Sequence, residues 1–258
     1  MRLALFGGVY NNYLALEAAC RQARKLDCER IYCLGDMGAF GPHPDRVFPL
    51  LKQYGVICLQ GNYDDSVGNG LDDCQCGYTD PRDNYFAHVS YQYTLRHTSA
   101  ENRTFLAALP KGIRFTVGDR RILLCHGSPR RVNEFLWETT TPDHLLERFF
   151  RDYEADIILA THSGLHWKRP LDSDRWFVNV GVIGRPANDG NTHVWMTVLD
   201  TEQPDPATFV PVTYDYRRLA DEMNREQLPE EFIETIVTGW WTTCLEILPA
   251  KERKKGRY

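Results

Sequence analysis

The chain has 258 residues, 43% hydrophobic and 25% charged, values of an ordinary globular protein that exclude a disordered or fibrous one. This length allows one large α/β domain, and we expect a single domain over residues 1–258, with residues 200–258 as an extension packed on its core. A formal net charge of −5 argues against a general nucleic-acid binder, which would carry a basic excess, while leaving room for a local basic surface.

The stretch from Met1 to Tyr13 lacks the long apolar centre and small-residue cleavage site of a secretory signal. No apolar run approaches the ~20 residues needed to span a bilayer, so a cytoplasmic protein with no membrane partner is expected. Of eight cysteines, Cys33, Cys58 and Cys125 sit inside apolar strand-like runs as small hydrophobes, and reduced thiols are expected.

In chain order, Arg2 to Phe6 reads as a short strand closed by Gly7-Gly8. Asn11 or Asn12 caps a helix with Ala15, Ala18, Ala19, Ala23 and Leu26 on one face and Glu17, Arg21, Arg24 and Lys25 on the other. Ile31 to Leu34 is a strand ending at Gly35-Asp36, Pro44 to Tyr54 a helix, and Val56 to Gln60 a strand ending at Gly61-Asn62-Tyr63-Asp64. This β-α-β-α-β order is the mark of a parallel sheet with right-handed crossovers. The polar stretch from Asp64 to about Pro81 is too long for a plain connection and reads as a functional loop beside the site. Within it Asp72-Asp73-Cys74-Gln75-Cys76 gathers two sulfurs and two carboxylates; a C-x-C pair with no second pair falls short of a zinc motif, and a loop-structuring or redox role is the favoured alternative.

Asp83 to Arg96 and Ser99 to Leu109 read as helices, with Tyr85, Phe86, Tyr91 and Tyr93 as packing residues. Ile113 to Val117 and Arg120 to Cys125 form a hairpin that stops at His126-Gly127-Ser128-Pro129-Arg130-Arg131. Thr141-Pro142 opens a helix through Phe150, Asp156 to Ala160 is a strand ending at Thr161-His162, and Trp176 to Val180 ends at Gly181. Strands near Thr192 to Leu199 and Thr208 to Tyr214 would complete a second sheet; Tyr216 onward is helical in pattern, and Lys251 to Tyr258 is a basic tail.

Four strand ends therefore carry Asp36, Asn62, His126 and His162. In open α/β sheets ligands bind beyond the carboxyl ends of the strands. A lone Asp there is commonly a turn or cap residue and a lone His commonly structural, but four donors in one pattern point to a metal site. A carboxylate, an amide oxygen and two imidazoles suit Mn, Fe or Zn better than Ca or Mg.

With these residues in view, the stretch from Met1 to about Leu199 resembles the calcineurin-like metallophosphoesterases, whose motifs run D-x-H, G-D-x-x, G-N-H-D, an H-G-S-type histidine and G-H-x-H. The matches are Gly35-Asp36, Gly61-Asn62 with Asp64, His126-Gly127-Ser128 and His162. The resemblance implies an α/β four-layer sandwich, two mixed β-sheets face to face flanked by helices, and a site that hydrolyses a phosphomonoester or phosphodiester with a metal-bound water. Asn62, Tyr63, Asp64 and Arg130 are then the expected catalytic residues, and Arg131 and Arg185 further phosphate partners. The expected partner is a phosphorylated small molecule or a phosphodiester, with self-association into a homo-oligomer left open.

The departures are equally specific. The family's first aspartate and histidine fall on Gly8 and Tyr10, the second histidine of the last motif on Gly164, and the histidine of G-N-H-D on Tyr63. One metal of the family's pair would retain only Asp36, so a single ion per chain is expected, held by Asp36, Asn62, His126 and His162. Tyr10 as a phenolate and His166 are the candidates to rescue the second ion; if the site is instead merely degraded, Gly8→Asp with Tyr10→His and Gly164→His should raise metal content and phosphoesterase activity. The alternative reading is a weakened binding or regulatory protein that keeps the fold and a phosphate-recognising pocket.

Overall fold

The computed structural model describes residues 1–254, so the end of the basic tail, including Lys255 and Arg257, lies outside the described residues. The chain opens with β1 (Arg2–Phe6), α1 (Tyr13–Lys25) and β2 (Arg30–Cys33). Asn12 caps α1 by accepting a hydrogen bond from the Ala15 amide at 3.0 Å, and the helix buries Ala15, Leu16, Ala19, Cys20 and Ala23. A short 3-10 turn, Pro44–Arg46, leads into α2 (Val47–Tyr54), which Gly55 ends in a left-handed conformation before β3 (Ile57–Cys58). Then come α3 (Asn62–Asn69), α4 (Pro81–His97), α5 (Ala100–Ala107), β4 (Gly112–Val117), β5 (Arg120–Cys125) and α6 (Asp143–Tyr153). The order continues with β6 (Ile157–Ala160), β7 (His166–Pro170), β8 (Trp176–Val180), β9 (Val194–Asp200), β10 (Ala207–Val212), α7 (Tyr216–Arg225), α8 (Glu230–Thr238) and α9 (Ala250–Lys254).

Two mixed five-stranded sheets result, in the orders β10-β9-β1-β2-β3 and β4-β5-β6-β8-β7. In the first, β1, β2 and β3 are parallel and β9 and β10 antiparallel; in the second, β5, β6 and β8 are parallel between antiparallel edges β4 and β7. Alternation along each strand assigns its two faces. Leu3, Leu5, Tyr32, Leu34 and Leu59 of the first sheet meet Ile122, Leu124, Ile157, Leu159, Val178 and Val180 of the second, forming the layer between the sheets. Ala4, Phe6, Ile31 and Cys33 turn the other way, onto α1 and its neighbours, while Leu123, Ile158 and Phe177 pack against Leu146, Phe149 and Phe150 of α6. Both faces of the central strands are covered, which is why they read as continuous apolar runs. Truncating a residue such as Leu159, fully buried in the inter-sheet layer, would cost ~2–5 kcal/mol.

Four features differ from the sequence expectations. The strands after Thr192 complete the first sheet, β9 pairing with β1, rather than the second. β7 was unmarked in the sequence: a short edge strand with only Trp167 fully buried needs no apolar alternation. The expected loop from Asp64 begins instead with α3, so the irregular stretch runs from Gly70 to Asp80. At α6 the cap position is Pro142, with no side-chain cap, rather than Thr141. No helix among the described residues is long and apolar enough to cross a membrane.

The two sheets are stitched together just past their carboxyl ends. Gly7, following β1, donates to the Gly181 carbonyl at 3.2 Å, and Gly184 donates to the Gly8 carbonyl at 2.7 Å. This seam brings the ends of β1, β2, β5, β6 and β8 to one edge of the molecule, where the polar residues collect.

Candidate metal centre

Asp36 sits just beyond β2 with φ of +60°, a left-handed conformation unusual for a residue with a side chain. Asp64 holds it there. The Asp64 carboxylate accepts hydrogen bonds from the amides of Asp36 (2.7 Å), Met37 (2.9 Å) and Gly61 (2.8 Å), so one side chain ties together the turns after β2 and β3. The turns touch so closely that a Cβ on Gly61 would lie 2.2 Å from Asp36 Oδ1, which explains the glycine before Asn62. Burial, then the adjacent Asp36, push the Asp64 carboxyl up to about 6. The Tyr63 amide donates to Asp36 Oδ1 at 3.0 Å and leaves Oδ2 facing the second sheet.

His126, directly after β5, meets that oxygen. Its Nε2 is 3.1 Å from Asp36 Oδ2, and its Nδ1 is 2.6 Å from the Leu34 carbonyl oxygen. A carbonyl only accepts, so Nδ1 carries the proton and Nε2 is the atom turned to the cluster. His162, after β6 and also left-handed at φ +58°, brings its Nδ1 to 3.2 Å from His126 Nε2. Asp36, His126 and His162 thus offer one ligand atom each, all within 4.8 Å of one another, and all three are buried.

Two ring nitrogens and a carboxylate oxygen are converging lone pairs, and at these distances something positive must lie between them. Without a metal it is a proton. Burial works against charging His126, but Asp36 and the Leu34 carbonyl outweigh it and raise the imidazole above its usual value. Burial likewise opposes ionising Asp36, yet His126 holds it below the usual carboxylate range. Burial and the charged His126 drive His162 down to about 3. The metal-free centre is therefore a His126–Asp36 ion pair beside a neutral His162, and a divalent cation taking the proton's place would meet three donors ready for it.

Asn62 completes the picture in part. Its Nδ2 donates to the Cys74 carbonyl at 2.8 Å, while its Oδ1 is buried without a partner. An acceptor left bare between Gly61 and Tyr63, both of which touch Asp36, fits a fourth ligand. The bond to Cys74 also places the Gly70–Asp80 stretch beside the centre, and Asn133 Nδ2 ties its other side by donating to the Gln75 carbonyl at 2.8 Å. Cys74 and Cys76, the pair for which a loop-structuring or redox role is expected, form a disulfide, whereas Cys20, Cys28, Cys33, Cys58, Cys125 and Cys244 are free. Bonded to each other, the two sulfurs are not free thiolates for a zinc ion.

The remaining expected residues stand elsewhere. The Tyr63 phenol points into the core, donating to Ser90 Oγ at 3.0 Å with its ring against Tyr91, and burial raises its pKa. Arg130 lies at the surface, ion-paired with Glu134 through Nε at 2.9 Å, and Arg131 is taken by Asn133. Of the two rescue candidates, His166, one end of β7, packs against Trp195 and Phe209, and burial raises the Tyr10 phenol, which opposes a phenolate there. In this region Tyr10 is a wall: a Cβ on Gly8 would lie 2.6 Å from its ring, and one on Gly164 would lie 3.1 Å from Trp241. Trp241 and Phe135 were missed as site residues; Trp241 comes from the C-terminal segment, and the Phe135 ring packs at a tilt against His162, 4.3 Å between ring centres. Nothing in their local sequence marks them, because their places are set by long-range packing.

The fold also has counterparts among known proteins. The profile of the calcineurin-like phosphoesterase superfamily domain matches residues 1–203. An uncharacterised protein of Methanocaldococcus jannaschii is 24% identical over 251 residues, covering 92% of this chain and 98% of that protein. A hypothetical protein of Pyrococcus horikoshii superposes with a TM-score of 0.77 at 23% identity, covering 93% of this chain and 99% of the other. A metallophosphoesterase of Sphaerobacter thermophilus does so with a TM-score of 0.70, also at 23% identity and with the same coverage.

Proposed function

Because the chain belongs to the calcineurin-like phosphoesterase superfamily, we propose that it is a phosphoesterase working with one divalent transition-metal ion, Mn, Fe or Zn, held by Asp36, His126, His162 and Asn62 Oδ1. The observation that carries this reading is the convergence of Asp36 Oδ2, His126 Nε2 and His162 Nδ1 on one buried point. When bound, such an ion would polarise a phosphate oxygen and lower the pKa of a water.

The chain's own groups prepare the site for that chemistry. The Leu34 carbonyl fixes the His126 tautomer, and the Tyr63 amide orients the Asp36 carboxylate. Asp64 locks the two turns that present Asp36 and Asn62. Tyr63 then contributes through its backbone rather than as a proton donor to the leaving group. Arg130 would have to exchange Glu134 for a phosphate before it could touch a substrate. The substrate is proposed to be a phosphate ester, in a cytoplasmic setting that the six free cysteines favour and the Cys74–Cys76 disulfide opposes.

The test is metal content per chain together with hydrolysis of an aryl phosphate and an aryl phosphodiester in added Mn. The expected result is about one ion per chain and Mn-dependent turnover that His126→Ala abolishes. One observation favours the second reading, a binding or regulatory protein: Tyr10 and Trp241 fill the half of the site where the family's second ion would sit. Phosphate binding with no turnover of either ester in any of the three metals would select it.

A further inference from the structure

Arg185 is 6% exposed, and among the described residues it makes no hydrogen bond and no ion pair; its Nε is buried without a partner. A guanidinium keeps its charge at any ordinary pH, and a buried unpaired charge is strongly destabilising. The side chain is nevertheless held firmly. Its guanidinium carbon lies over Trp241, 3.4 Å from the ring centre, with the Phe40 ring at 5.0 Å and the Tyr10 ring at 5.9 Å. Aromatic faces steady a cation but supply no anion.

Its position is informative. Nη2 is 3.7 Å from where a side chain on Gly164 would begin, and Gly164 is two residues beyond His162. Tyr10, whose ring borders the guanidinium, donates its amide to the Asp36 carbonyl at 3.3 Å. Arg185 therefore borders, with Tyr10 and Trp241, the half of the site where Gly8 and Gly164 stand. We infer that Arg185 is the fixed cation of a phosphate subsite, placed where a second metal ion would otherwise neutralise the substrate, and that the group it takes is the terminal phosphate of a monoester. The guanidinium fork suits two non-bridging phosphate oxygens. The Trp241, Phe40 and Tyr10 rings crowd the guanidinium, which favours a terminal phosphate over a diester phosphate flanked by two substituents. The assignment to a monoester rests on the proposed phosphoesterase function, whereas the anion subsite itself requires no metal.

The experiment uses the full chain with chelator present and inorganic phosphate as the probe, read by calorimetry and by thermal shift. Wild type should bind phosphate saturably; Arg185→Met, which keeps the stacking volume, should weaken binding at least tenfold while retaining the wild-type metal count. Arg185→Met should also match or raise the metal-free Tm, since it removes an unpaired buried charge, whereas loss of a merely structural arginine would lower it. Arg185→Lys, keeping the charge but not the fork, should fall between and guards against a Met variant that fails to fold. An aryl phosphate should displace the probe and an aryl phosphodiester should not. Equal phosphate affinity in wild type and Arg185→Met, or no phosphate binding by wild type, would overturn the subsite. Arg185-dependent phosphate binding by a chain that takes up no metal would instead sink the metal reading and leave the subsite standing.

Discussion

Removing the His126 imidazole is the most direct test of the centre, because two opposite effects can be sized in advance. In the metal-free protein His126→Ala leaves the Asp36 carboxylate, 4% exposed, with the Tyr63 amide as its one hydrogen bond. Breaking a buried pair in this way costs ~3–5 kcal/mol, and for a chain of this size each kcal/mol moves Tm by ~2–4 °C, so Tm should drop by ~6–20 °C in chelator. Metal acts the other way on wild type: at about 100 times its Kd an ion that binds only the native state adds ~2.7 kcal/mol, or ~5–11 °C. The variant should lose that rise entirely. Thermal unfolding with chelator and with Mn, for wild type, His126→Ala and a control, reads both. His144→Ala on the exposed side of α6 is the suitable control. His43 is not, since it adopts φ +53° and lies 3.7 Å from Glu222. If His126→Ala kept an Mn-dependent shift as large as that of wild type, the ion would sit elsewhere and the centre described above would be wrong.

Other outcomes follow from the same contacts. Burial and the charged His126 hold His162 at about 3, against ~6.5 when unfolded; as pH falls through that window the unfolded chain binds a proton that the native state refuses, so metal-free stability should drop by up to about 5 kcal/mol between pH 6.5 and 3. His126 acts with the opposite sign, since its raised pKa adds stability below ~6.5 that is lost as pH rises through the folded value. Denaturant titrations at pH 7 and 4.5 should show the acid loss in wild type and a flatter profile in His162→Gln; equal slopes would remove His162 from the account. Asn62→Ala should weaken metal binding by about 10-fold or more in a competition titration, because it deletes the bare Oδ1 along with the bond to Cys74. Tyr63→Phe should cost ~1 kcal/mol in denaturant and leave the metal count unchanged, because the phenol serves Ser90 and the core; a lost ion would return the side chain to the site.

Asp36, His126 and His162 were legible because each follows an apolar β-branched run at the edge where parallel strands present their carboxyl ends, a rule that holds without knowing the strand order. Strand order was not legible beyond the first three strands. β9 pairs with β1 across almost the full chain, Arg2 opposite Asp200, and no local pattern distinguishes that partner from the second sheet. α3 was hidden for a different reason. Asn-Tyr-Asp-Asp-Ser-Val-Gly-Asn has poor helix propensity, and the segment is helical because Asp64 accepts from the Gly61 amide in the first turn and Tyr63 and Val67 are buried against neighbouring helices. Arg185 was visible only as one of several arginines. Its burial over Trp241 depends on a residue 56 positions away, which sequence spacing cannot place.

The half-site around Gly8, Tyr10 and Gly164 answers whether the missing ligands could simply be put back. The sequence comparison alone suggests that Gly8→Asp, Tyr10→His and Gly164→His would rebuild it; the structure gives the opposite expectation. Gly8 and Gly164 have φ of +31° and +81°, so any side chain there begins with ~1–2 kcal/mol of backbone strain per position. Space is a second obstacle. Tyr10→His relieves one contact of a Cβ at position 8, but Val182 Cγ1 remains 2.6 Å away, and at position 164 the Trp241 ring would lie at 3.1 Å with the Arg185 charge just behind it. An incoming imidazole would have to displace a tryptophan that is 1% exposed and donates to the Pro186 carbonyl at 2.6 Å, and it would bring a second divalent ion up to an unpaired guanidinium. The triple variant should therefore be less stable than wild type by several degrees in Tm and should still carry no more than one Mn per chain by elemental analysis. Two ions per chain in that variant would mean that the half-site is merely vacant, and that Tyr10, Arg185 and Trp241 do not form the single built unit their contacts describe.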